Sequence, residues 1–310
     1  MSERPTGFTE ATEAEVGAAF DATGYVADDE IVTTTALSLR LGKPLLVEGE
    51  PGAGKTELAK VLADGFDTDL VRLQCYEGLT AESALYEWNY TKQLLATQTA
   101  DTGEAGSAVE DPNHSVFTEE YLLERPLLRA LRADGDRPPV LLIDEVDRAD
   151  EEFEALLLEV LSEFQVTIPE LGTVRAATPP AVVITSNRTR GLSDALKRRC
   201  LFLHVEPPSF EKERAILERK VPELDTAVAA ELCAAVGRLR EEPLLKPPGA
   251  AETIDWARAV AALRDGSDEP LDRETVRTTL GCLLKEVEDV ERVDDDLLGS
   301  LLTAATEVDA

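Results

Sequence analysis

An α/β fold with a parallel sheet, followed by an all-helical part, is what this 310-residue sequence predicts. Three observations predict it. Short continuous apolar runs alternate with helix-patterned segments as far as Val205, and strands alternating with helices form parallel sheets covered on both faces. A glycine-rich stretch, Gly49-Glu50-Pro51-Gly52-Ala53-Gly54-Lys55-Thr56, stands between one such run and a helical segment, giving a strand–loop–helix unit. Beyond Pro207-Pro208 the strand pattern stops and only helical periodicity remains.

Residues 1 to about 22 are polar, with a helical pattern through Glu13 to Phe20 that Gly24-Tyr25-Val26 breaks. Ile31 to Leu41 predicts a helix closed by Gly42, a C-cap glycine. Pro44 to Val47 is a short buried strand entering the glycine loop, and Glu57 to Ala63 continues as helix. Leu70 to Cys75 is a second strand. Ala81 to Thr97 reads as one helix with Tyr86 and Trp88 as anchors, and Glu119 to Ala133 as another. Between them Ala100 to Pro112 is acidic, rich in small residues and without apolar period, so an exposed loop is expected. Val140 to Ile143 is a strand buried on both faces, ending in Asp144-Glu145. Apolar residues at helical spacing fill Glu151 to Phe164, and Gln165 to Pro169 is a short strand. Ala181 to Thr185 is a further strand ending in Ser186-Asn187, and Leu201 to Val205 is the last. Helical segments then run from about 210 to 221, 226 to 240, 253 to 263, 273 to 288 and 294 to 306. The expected division is therefore residues 1–206 and 207–310.

The glycine stretch fits G-x-x-x-x-G-K-[ST]. Glycines let the backbone wrap closely with its N–H groups inward, and with the positive end of the following helix they hold phosphate oxygens. Lys55 reaches the β- and γ-phosphates in such a loop, and the Thr56 hydroxyl binds Mg²⁺. Asp144, at a strand end, is suited to holding the Mg²⁺ water shell, and Glu145 to polarising an attacking water. Asn187, also at a strand end, is placed to contact the γ-phosphate or position that water. Arg198 and Arg199 belong to the densest basic cluster, Ala195 to Arg199. That cluster reads either as a helix C-terminus complementing its dipole or as a phosphate-directed cation. Tyr25 and Val26 stand either against a base or simply packed.

With 62 acidic residues against 31 basic ones the net charge is −31. Such a surface repels nucleic acid and anionic membranes. The acid is spread along the chain, as expected of a solvated surface in a high-salt cytoplasm. No apolar run reaches membrane-span length, and the polar start carries no secretory pattern, so a cytoplasmic location is expected. Cys75, Cys200, Cys233 and Cys282 lie far apart without a C-x-x-C pair, and His114 and His204 stand alone. Reduced, packed thiols are expected rather than a zinc site.

The P-loop, Leu141-Leu142-Ile143-Asp144-Glu145, Thr185-Ser186-Asn187 and the paired arginines, followed by helices, resemble the AAA+ ATPase core. Asp144 to Ala149, Leu157 to Leu161 and Gln165 to Ile168 further resemble the MoxR family, which inserts a helix and strand near 151–175. Gln74 to Leu79, Glu163 to Gly172 and Thr185 to Arg190 look like its subgroup associated with carbon-monoxide-dehydrogenase maturation. The resemblance implies a five-stranded αβα sandwich with a helical lid and an Mg-ATP-hydrolysing remodeller. In it Gly49 to Thr56 are Walker A, Asp144 and Glu145 Walker B, and Asn187 sensor 1. Arg199, or Arg198 beside it, is the arginine finger reaching a neighbouring subunit. It also implies a hexameric ring, a partner with a von Willebrand factor A domain, and a client metalloenzyme. One position departs: Gly249-Ala250-Ala251-Glu252-Thr253 has threonine where the family has the lid arginine, and Arg258 is the candidate substitute.

Overall fold

The computed structural model describes residues 8–101, 118–133, 137–169, 171–264 and 270–308. The chain begins with a 3-10 turn at Phe8–Glu10, then helices α1 (Glu13–Ala22) and α2 (Asp29–Leu41). Thr12 closes a capping box with Glu15 at the start of α1, and Gly42 ends α2 in the left-handed region at φ 60°. Strand β1 (Leu45–Gly49) leads into α3 (Lys55–Gly65), and β2 (Leu70–Gln74) follows. Next come α4 (Ala81–Leu85), β3 (Tyr86–Trp88), α5 (Tyr90–Asp101), β4 (Leu122–Glu124) and α6 (Pro126–Leu131). Then β5 (Val140–Asp144), α7 (Glu151–Glu163), β6 (Gln165–Ile168), β7 (Gly172–Arg175), β8 (Ala181–Ser186), α8 (Asp194–Lys197) and β9 (Leu201–Val205) complete the α/β part.

Five strands form one parallel sheet in the order β2-β5-β8-β1-β9. Its three central strands, β5, β8 and β1, are buried along their whole length, which is why they read as unbroken apolar runs. Alternate residues feed two cores. Leu46, Leu141, Ile143 and Ile184 face one that includes α4, α6 and α7. Leu45, Val47, Leu142 and Val183 face the other, closed by α1, α2 and α3. After β9 the described elements are helices: α9 (Phe210–Lys220), α10 (Thr226–Arg240), α11 (Ala250–Arg264), α12 (Arg273–Leu283), α13 (Val287–Arg292) and α14 (Asp295–Glu307). They enclose a third core around Trp256, Leu232, Val236 and Leu298.

The structure corrects four expected elements. The predicted helix over Ala81 to Thr97 is broken at Tyr86–Trp88, which pairs antiparallel with Leu122–Glu124. The same pairing replaces the start of the helix predicted over Glu119 to Ala133. Tyr86 and Trp88 anchor the core, but from a strand. The predicted helix-and-strand insertion is a helix and a hairpin, because Gly172–Arg175 folds back on Gln165–Ile168. The helix predicted over Arg273 to Glu288 ends at Leu283, and α13 begins at Val287. Most of the loop expected over Ala100 to Pro112, and His114, lie outside the described residues.

The helix that follows the glycine loop is located by α1. A Cβ built on Gly65 would lie 2.5 Å from Ala19 Cβ and 2.9 Å from its Cα and carbonyl oxygen. Gly65→Ala therefore forces the two helices apart, at a cost of about 1–3 kcal/mol, read as a lower urea midpoint with unchanged slope.

Candidate functional site

The site lies at the carboxyl ends of β1, β5 and β8. The first constraint is the turn out of β1. A Cβ on Gly49 would meet the Val205 carbonyl oxygen at 2.2 Å, so the neighbouring strand itself demands glycine. Gly52 and Gly54 take φ of 82° and 85°, left-handed values that favour glycine. Gly54 caps α3 without a side-chain bond to the helix. The first N–H groups of α3 thus point into the cleft with no side-chain acceptor, and an anion is the fitting partner. Lys55 is buried, and its Nζ donates to the carbonyl oxygens of Gly49 (2.9 Å) and Glu50 (2.6 Å). Burial pushes its pKa below the usual lysine range, while Asp147, Asp144, Glu145 and Glu50 pull it back.

Asp144 gathers donors from three directions. Its Oδ1 accepts from Thr56 Oγ1 (3.0 Å) and Thr185 Oγ1 (2.6 Å), and its Oδ2 from Arg72 Nε (3.1 Å) and Nη2 (2.6 Å). Next in sequence, Glu145 has φ 55° and ψ 50°, which turns its side chain out of the strand's alternation. Its N–H donates to Thr185 Oγ1 at 2.9 Å. Its carboxylate accepts from Asn187 Nδ2 (3.2 Å), Gln74 Nε2 (3.0 Å) and Arg148 (3.3 Å). Asp147 then fixes the exit of β8, accepting from the N–H groups of Asn187 and Thr189 and from Thr189 Oγ1.

Thr56, Asp144, Glu145 and Asn187 thus come together around the loop that carries Lys55. They line a cleft of about 500 Å³ with Gly24, Tyr25 and Val26 at one side, a volume within the usual range for small-molecule sites. Tyr25 both lines the cleft and packs on Phe20, ring centroids 5.3 Å apart. Arg258 reaches the same cleft from α11, on the helix face of Ala251, Ile254 and Asp255, and pairs with Asp255 at 3.7 Å. Thr253 does not: fully buried, it donates to Glu213 and Gly249, beside a bidentate Arg240–Glu213 pair at 2.7 Å. Arg198 and Arg199 also stand apart, exposed at the end of α8. Arg199 donates to Ser162 Oγ (3.1 Å) and the Ala195 carbonyl (3.1 Å).

The arrangement matches a family. A family model described as AAA domain (dynein-related subfamily) covers residues 44–200, just over half of the chain. The chain belongs to that AAA family. A point mutant of Thermotoga maritima RuvB aligns with a TM-score of 0.52 at 17% identity, over 91% of this chain and 77% of that one. At that identity the likeness speaks for the AAA+ fold alone. An uncharacterized protein of Staphylococcus haemolyticus is 27% identical over 275 residues, 85% of this chain and 94% of that protein. One of Staphylococcus saprophyticus is 30% identical over 191 residues, 59% of this chain and 64% of that protein, under two thirds of its length. AAA+ domains are in general nucleotide-hydrolysing ATPases.

Sequence reasoning passed over four residues of this AAA+ site: Arg72, Gln74, Thr185 and Asp147. The first two had a signal. Arg72 and Gln74 alternate with the buried Val71 and Leu73 along β2, and Gln74 pairs in register with Asp144. Elsewhere burial dominates reactive groups: it pushes the thiols of Cys75, Cys200 and Cys233 up to about 12, so they are protonated and inert near neutrality. Among the described residues no group of three or more His, Cys, Asp or Glu could hold a metal ion, and no helix is long and apolar enough to cross a membrane.

Asp147 offers a pH-resolved test. Burial raises its pKa, but the bonds from Thr189 and Asn187 outweigh this and hold it below its ordinary 3.8. The stabilisation is complete above that ordinary value and is lost as pH falls through the lower folded one. Asp147→Asn should cost about 1.5–3 kcal/mol at pH 7. In urea unfolding the gap to wild type should narrow below pH 3.8.

Proposed function

We propose that this chain is an Mg-ATP-hydrolysing remodelling ATPase of MoxR type. The observation that carries the reading is the Thr56–Asp144 hydrogen bond of 3.0 Å across 88 residues of sequence, with Asn187 and Glu145 in contact beside it. The N–H groups of the Gly52 to Thr56 loop and the Lys55 ammonium grip the phosphate chain. Thr56 and Asp144 would hold Mg²⁺, which when bound neutralises charge on the phosphates. Glu145 orients and deprotonates the attacking water, and Asn187 fixes the carboxylate that does so. Arg258 faces the phosphates from the helical lid, residues 207–310, which closes on the α/β domain, residues 1–206.

Arg199 completes the site of the next protomer in a hexameric ring, with Arg198 as its neighbour; exposure at the end of α8, away from the chain's own cleft, supports this. Catalysis is then mainly positioning and charge neutralisation, divided between two chains. The helix α7 and hairpin β6–β7 support the MoxR assignment. With it come a von Willebrand factor A domain partner and a client metalloenzyme whose maturation resembles that of carbon-monoxide dehydrogenase.

Phosphate release in molar KCl tests the reading. Glu145→Gln should keep ATP binding and lose roughly 10²-fold or more in turnover. Arg199→Ala should keep binding and lose the rise of turnover with protein concentration. Near-normal turnover in Glu145→Gln removes its role, and unchanged concentration dependence in Arg199→Ala transfers the finger to Arg198 or abolishes it. Capture of a von Willebrand factor A domain protein by the Glu145→Gln chain with ATP checks the partner.

A further inference from the structure

Asp144 holds more protein donors than a metal-binding carboxylate can keep. An ionised carboxylate has about four lone-pair sites. Here Thr56, Thr185 and two arms of Arg72 take them all, and the side chain is only 3% exposed. A divalent cation held through Asp144 has to replace one of the four. Thr185 is the costly one to move: it is buried, and its hydroxyl also accepts the Glu145 N–H. Thr56 need not leave, because a hydroxyl that donates its proton to Asp144 still has lone pairs for a cation.

Arg72 is different. Its side chain is half exposed, so its guanidinium regains water when it swings away. It also carries the same sign of charge as the incoming ion, and two cations on one oxygen repel. Resting on the Mg-ATP reading above, we infer that Arg72 is a built-in counter-ion that competes with the divalent cation for Asp144 Oδ2. It thereby sets the Mg²⁺ concentration at which the site takes nucleotide. A purely positioning arginine has the opposite signature, since removing it disorders Asp144 and weakens metal-dependent binding.

The test is binding of a fluorescent ATP analogue titrated against Mg²⁺ in wild type, Arg72→Gln and Arg72→Lys, followed by anisotropy. Arg72→Gln should reach half-saturation at about fivefold lower Mg²⁺ than wild type, with Arg72→Lys between the two. Without Mg²⁺, Arg72→Gln should also melt below wild type, and Mg²⁺ with analogue should raise its Tm by more. An unchanged or higher Mg²⁺ midpoint in Arg72→Gln overturns the inference while leaving the ATPase reading intact. If that variant does not fold, the lysine variant decides by the same direction of shift. A wild-type chain that binds no analogue at any Mg²⁺ concentration overturns the ATPase reading and this inference together.

Discussion

The buried carboxylate of Asp144 ties four segments of the chain together. It takes donors from β2 through Arg72, from the glycine-loop helix through Thr56 and from β8 through Thr185, while β5 delivers it to the carboxyl end of the sheet. A buried charge is tolerated only when it is this well satisfied. The neighbouring residues inherit their places from it. Thr185 passes the connection to the Glu145 N–H, and Arg72 passes it to Gln74 at 2.5 Å, whose amide holds the Glu145 carboxylate. Asp144 and Glu145 are therefore linked by two hydrogen-bonded routes, one through a buried hydroxyl and backbone, the other through more exposed side chains.

The helical part is built around a second buried charge. Glu213 on α9 binds both arms of Arg240 on α10 and the hydroxyl of Thr253 on α11, so three helices meet at one carboxylate. Arg240 also donates to the Pro248 carbonyl, just before the start of α11. There Gly249 lies against Gly52: a Cβ on Gly249 would come 3.2 Å from Gly52 Cα. The glycine loop and the residue preceding α11 thus meet backbone to backbone, which leaves little room for a side chain on either glycine. Thr253 serves the interior of the helical part, while Arg258, a turn and a residue later, turns to the cleft.

The central strands and the glycine loop were legible because one local rule decides each. A strand buried on both faces has to be apolar throughout, as in Val140 to Ile143, and a left-handed turn favours glycine, as at Gly52 and Gly54. Three-residue strands were not legible. Tyr86–Trp88 lies among good helix formers, and only its partner Leu122–Glu124, far along the chain, makes it extended. Arg72 and Gln74 were legible only in part: their alternation with Val71 and Leu73 marks one face of β2, but their partners come from the register of β2 on β5, which no window of sequence contains. The acidity was legible as a solvated surface, yet part of it is structural. Asp150, Asp225, Asp272 and Asp294 each cap a helix N-terminus through the side chain.

The central claim is that the loop from Gly52 to Thr56 and the Lys55 ammonium grip a triphosphate. The most direct measurement is a structure of the chain with Mg²⁺ and a non-hydrolysable ATP analogue. The account predicts phosphate oxygens on the loop N–H groups, with Lys55 Nζ turned from the Gly49 and Glu50 carbonyls toward them. An analogue bound elsewhere, with Lys55 still held by those two carbonyls, would contradict it.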